Sequence, residues 1–168
     1  MRTERVATRK KAKGLDPMGV PVSAVMTKRV KTVRPDTSLD LAMELLMAKD
    51  ISHLPVLDEA GKLVGILSKT DVVRRYFIDG DTEESEVRLN VKGVSYGLGG
   101  FHEDRTIGRT VADVMSRKVR TVTDSAPLAE AAMSMSKLRV HGLPVVSAKN
   151  NLVGFLSTFD IVDWVAAS

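Results

Sequence analysis

Cysteine is absent from the 168 residues, which excludes disulfide frameworks, thiol nucleophiles and thiolate metal sites. Aromatic residues are scarce: one Trp, two Tyr and four Phe. None falls in the basic N-terminal stretch, where stacking rings would mark a nucleic-acid surface. No run approaches 18 apolar residues, so the sequence holds no candidate transmembrane helix. The opening residues, Met1 to Lys11, contain no apolar core of a secretory signal, and a cytoplasmic location is the default expectation. The three histidines, His53, His102 and His141, are too dispersed for metal-ligand spacing. With no Ser/His/Asp order and no metal cluster either, the sequence supports neither an enzyme nor a catalytic residue, and no cofactor is required.

What is present is ordinary for a globular protein, 43% hydrophobic and 27% charged. The net charge of +4 is unevenly placed. Residues 1–13 carry six basic side chains (Arg2, Arg5, Arg9, Lys10, Lys11, Lys13) against one acid, Glu4, which leaves residues 14–168 near −1. The basic stretch reads as a solvated, disordered tail over residues 1–19, with contact to nucleic acid as the alternative.

The strongest signal is duplication. Residues 22–73 and 111–162 superimpose with a shift of 89 and no gap, and 18 of the 52 pairs are identical. Val25-Met26 recurs as Val114-Met115, Leu54-Pro55-Val56 as Leu143-Pro144-Val145, and Leu63-Val64-Gly65 through Asp71 as Leu152-Val153-Gly154 through Asp160. Units of this size with one apolar face bury it against a neighbour, which predicts a pseudo-twofold pair of repeats over 20–78 and 110–168.

Each repeat reads β-α-β-β-α, an α/β (α+β) fold. A short strand at 30–33 leads to a cap candidate, Asp36 or Thr37, and to a helix on which Leu39, Ala42, Met43 and Leu46 form the apolar stripe. Strands at 54–57 and 63–67 flank the turn residues Asp58 to Gly61, giving a hairpin, and a helix starts at Ser68. The second copy gives a strand at 119–122, a helix at 126–138, strands at 143–146 and 152–156, and a helix at 158–166. Met43, Met47, Met133 and Met135 read as core filler. The connection, 79–109, is long for a structureless loop, so it is either a mobile excursion or the alternation at 87–96 adds an edge strand or hairpin. Its Gly97-Leu98-Gly99-Gly100 cluster opens no helix and is no phosphate cradle.

Chemistry concentrates where a buried strand hands over to a helix. After Gly65, residues Ser68, Thr70 and Asp71 surround unpaired first-turn N–H groups at a positive helix end, where anions bind. The Asp71 carboxylate can accept two hydrogen bonds from a cis-diol. Ser157 and Asp160 repeat this after Gly154. The same Ser-x-x-Asp pattern is also a capping box, and locally that reading is the more ordinary. Recurrence of Gly, Ser and Asp at identical spacing moves the balance toward a ligand.

On these residues the chain resembles a tandem pair of cystathionine-β-synthase (CBS) domains, a Bateman module. The matching pieces are Val25-Met26-Thr27, Ile51-Ser52-His53-Leu54-Pro55-Val56 and Gly-x-x-Ser-x-x-Asp, with Val114-Met115-Ser116, Val140-His141-Gly142-Leu143-Pro144-Val145 and Gly154 through Asp160 in the second copy. The resemblance implies a non-enzymatic regulatory module whose clefts take AMP, ADP, ATP or S-adenosylmethionine and report metabolite status to an unidentified partner. It also implies a homodimer formed through the last helix of each repeat, where Val72, Val73, Tyr76, Phe77, Ile161, Val162, Trp164 and Val165 offer surplus apolar surface. Within it, Asp71 and Asp160 hold ribose, Ser68, Thr70 and Ser157 face ribose or phosphate, Ile51, His53, Val140 and Gly142 flank adenine, and His141 contacts phosphate. Phe159 stands where the first copy has Thr70, and His53 where the second has Gly142, so the two sites are expected to be unequal. The rival reading is a structural dimerisation module with degenerate pockets.

Overall fold

The computed structural model describes residues 16–72, the backbone of 86–91 and 94–99, and residues 109–167. The chain divides into two compact units, Val30–Val119, and Met1–Arg29 with Arg120–Ser168.

In the unit 30–119, helix α1 (Leu39–Ala48) follows the predicted stripe, burying Leu39, Ala42 and Leu46. Its cap is Ser38, whose Oγ accepts from the Leu41 N–H, and neither Asp36 nor Thr37. Thr37 serves the preceding turn instead, its Oγ1 accepting from the Arg34 N–H. After α1, Asp50 takes a left-handed φ of 51° and the Ile51 N–H closes on Leu46 O. Strands β1 (His53–Leu57) and β2 (Leu63–Ser68) form the predicted antiparallel hairpin. The expected first strand shrinks to a single parallel bridge, Val33 to Val56. Strands β3 (Glu86–Val91) and β4 (Val94–Gly99) pair antiparallel, so the hairpin reading of the connection is the one observed. Helix α2 (Val111–Val114) is one turn long with a Thr110/Asp113 capping box. It sends Val111 into a core with Val33, Leu39, Ala42, Leu46, Leu54, Val56, Leu67 and Val72.

The second unit repeats this plan. A 3-10 turn (Val22–Ala24) takes the place of α2, and the Val22 N–H donates to Ala126 O. Strand β5 (Val122–Thr123) runs parallel to β6 (Gly142–Val146), which pairs antiparallel with β7 (Leu152–Ser157). Helices α3 (Leu128–Leu138) and α4 (Thr158–Ala166) complete it. Its core joins Val22 and Val25 to Leu128, Ala131, Met135, Leu143, Val145, Leu156 and Trp164. In each unit, then, the leading residues of one copy complete the core around the sheet of the other copy.

Three expectations about side chains change. Met135 is buried and Met43 packs against its core, but Met47 and Met133 are exposed and fill nothing. Each lies off its helix's buried stripe, Met47 one residue past Leu46 and Met133 two before Met135. Trp164, assigned above to the surplus surface, is only 7% exposed and belongs to the core. The residues α4 leaves bare are Phe159, Val162 and Val165, at 72%, 59% and 48%. Val72 is likewise a core residue, while Val73, Tyr76 and Phe77 lie outside the described residues, as do His102 and the basic tail to residue 15.

Candidate functional site

The two strand-to-helix turns form the same hydrogen-bonded figure. In the first, Asp71 Oδ2 accepts from the Ser68 N–H (2.8 Å) and Oγ (2.6 Å), and Ser68 Oγ accepts from the Asp71 N–H at 3.1 Å. In the second, Asp160 Oδ2 accepts from the Ser157 N–H (2.8 Å) and Oγ (2.6 Å), and the return bond is 3.2 Å. The capping box is therefore real in both copies. It engages one carboxylate oxygen and leaves the other, Oδ1, outside the cap. A carboxylate has roughly four acceptor positions, so capping and ligand binding need not exclude one another.

Register brings the adenine-flanking candidates beside these turns. His53 pairs with Ser68, and Gly142 with Ser157. The Lys69 N–H donates to Ser52 O and the Thr158 N–H to His141 O, which locks each helix start to the strand entering the sheet. His53 is half-buried, whereas Thr70 and His141 are exposed. Ile51 and Val140 pack against the cores of their own units, so their side chains support the turn as well as border it.

The glycines gain a physical reason. A β-carbon on Gly65 would collide with the Met115 thioether, and one on Gly154 with that of Met26. The close neighbour expected at Gly65 is thus a methionine from the segment that completes the unit. Gly142 differs: a β-carbon there would lie 2.5 Å from Phe155 Cε1, so a phenyl ring covers the position. At the matching sequence positions the first copy has His53 and Ile66 where the second has Gly142 and Phe155. The slot suggested by a bare glycine is filled from the neighbouring strand.

Thr27 was quoted above only as part of a motif, yet its Oγ1 donates to Asp160 Oδ1 at 3.2 Å. The signal that could have found it is a hydroxyl at both shifted positions, Thr27 and Ser116. Among the described residues no group of His, Cys, Asp and Glu is arranged to hold a metal ion. A surface groove of about 440 Å³, lined by residues including Arg34, Leu41, Leu45 and Glu59, shares no lining residue with the Ser68–Asp71 turn.

Comparison with known proteins places this geometry. The family model for the CBS domain matches residues 22–77 and 111–167. CBS domain-containing protein CBSX2, chloroplastic, of Arabidopsis thaliana is 33% identical over 151 residues, which is 86% of this chain but 63% of that protein. The chain thus spans less than two thirds of this relative's length. The crystal structure of CBSX2 in complex with AMP superimposes with a TM-score of 0.67 at 30% identity, covering 88% of this chain and 97% of that one. The CBS domain pair of protein MJ0100, in complex with 5′-methylthioadenosine and S-adenosyl-L-methionine, gives 0.66 at 25% identity, covering 88% and 96%. With both repeats matched and the duplicated hairpins in one register, the chain belongs to the CBS domain family as a tandem pair.

Proposed function

We propose that this CBS pair is a regulatory module that binds an adenosine-containing nucleotide, AMP, ADP, ATP or S-adenosylmethionine, at the Ser-x-x-Asp turns and relays its presence to a partner protein. The observation that carries the reading is the duplicated turn, in which each carboxylate caps its helix through Oδ2 and keeps Oδ1 outside the cap, where in the second copy it also accepts from Thr27. Ribose is the fitting ligand group, because a cis-diol offers two donors to an acceptor of this kind. Asp71 takes both hydroxyls of the diol at Oδ1, and Asp160, which also accepts from Thr27, takes one ribose hydroxyl. Ser68, Thr70 and Ser157 line the ribose or phosphate side. The N–H groups of Lys69, Asp71, Thr158 and Asp160 are spent on Ser52 O, Ser68 Oγ, His141 O and Ser157 Oγ, contrary to the expectation of unpaired donors. The helix start therefore favours phosphate through its dipole alone. His53 with Ile51, and Gly142 with Val140, border the base, and His141 is an exposed donor for phosphate. Complexes of CBSX2 with AMP and of the MJ0100 pair with two adenosyl compounds support the ligand class. The module acts by binding and not by catalysis, in a cytoplasmic setting.

The same proposal includes a homodimer. Phe159, Val162 and Val165 make a bare apolar line along α4, of the kind that marks an interface. Calorimetric titration with AMP, ADP, ATP and S-adenosylmethionine tests the ligand assignment. Saturable binding of at least one supports it. No binding of any of the four would leave the structural dimerisation module as the better reading.

A further inference from the structure

We infer that Thr27 is a positioning residue for the ribose acceptor of the second repeat, a role that rests on the nucleotide reading above. Asp160 is gripped from two sides of its unit. Oδ2 is held by Ser157 on its own turn, and Oδ1 by the Thr27 hydroxyl from a segment 133 residues away in sequence. Anchored at one oxygen alone, a carboxylate still turns about its terminal torsion, which is broad. Anchored at both, its plane is fixed, and binding loses less freedom.

The threonine is itself well placed for this work. Its N–H donates to Phe155 O and its carbonyl accepts from the Phe155 N–H, both at 2.9 Å. The neighbouring Met26 thioether packs over Gly154 on the same strand. Thr27 is thereby docked on β7 two residues ahead of Ser157, and the Asp160 bond is partly shielded from water. The first repeat has the same backbone docking, Ser116 against Ile66. Yet among the described residues no hydrogen bond joins Ser116 to Asp71. The two ribose acceptors are therefore unequally fixed, and the second repeat carries the more selective ribose site.

The test is calorimetry with AMP and 2′-deoxy-AMP on the full chain carrying Asp71→Asn, so that the second repeat reports alone, with and without Thr27→Val. Thr27→Val weakens AMP binding about three- to tenfold, the size of one ordinary hydrogen bond, and lowers the preference for AMP over its deoxy analogue. Thr27→Ser, which keeps the hydroxyl, restores both. Unchanged affinity and preference in Thr27→Val overturn the inference. Tighter binding also overturns it, by showing that the hydroxyl competes with ribose. Equal losses in Thr27→Val and Thr27→Ser would assign the effect to the methyl group's packing and overturn it as well. Failure of the Asp71→Asn chain to bind AMP while the unsubstituted chain binds it overturns the inference, whereas failure of both counts against the nucleotide reading itself.

Discussion

Asp160 and Asp71 each have a structural duty and a proposed binding duty, and substitution exposes both. Asp160→Ala removes the carboxylate half of the capping box and leaves the bond from the residue-160 N–H to Ser157 Oγ, costing about 0.5–2 kcal/mol of stability. It also removes a charged acceptor for ribose, weakening AMP by about 1.5–3 kcal/mol. Thermal unfolding and calorimetry on one variant separate the two losses, and a stability loss with unchanged affinity would leave capping as the whole role. Gly142 yields a second prediction. Gly142→Ala drives a β-carbon against the Phe155 ring and destabilises by about 1–3 kcal/mol, while adding Phe155→Leu recovers part of the loss, as denaturant unfolding would show. The residues of this site were legible in the sequence because the Ser, Asp and Gly recur at fixed spacing. Thr27 showed only as a hydroxyl repeated at Ser116, which does not name its partner 133 residues away, and the Gly142–Phe155 contact, a ring that covers its neighbour strand, left no local pattern.

At the scale of elements, the helical stripe and the hairpins were legible because period and turn chemistry set them directly. The initial strands were not. Val30–Val33 looks like a strand by composition, but only Val33 finds an edge to pair with. Helix α4 shows the same limit: its apolar residues occur on more than one face, and sequence alone did not say which face is inward. Trp164 is in the core and Val162 outside it. Trp164→Glu consequently collapses the second unit, because a charge would replace a buried indole. Val162→Glu leaves the unit folded, losing no more than the contribution of the proposed interface. Unfolding monitored by circular dichroism distinguishes them, and equal behaviour would refute the assigned faces.

For the whole molecule, duplication made the family legible, but the exchange of leading segments between copies was not. Val22 and Val25 precede the first repeat's helix, yet they fill the core around the second repeat's sheet. Val25→Ala should therefore destabilise the second unit by about 2 kcal/mol. If the bare line on α4 is an interface, light scattering gives a mass near twice 18.3 kDa, and Val162→Glu shifts it to the monomer. The central claim, that both Ser-x-x-Asp turns receive a ribose diol, is tested most directly by comparing AMP with 2′-deoxy-AMP on the unsubstituted chain. A site that offers its acceptor to a missing hydroxyl loses binding sharply. The account predicts clearly weaker binding of the deoxy nucleotide, and equal affinities would contradict it.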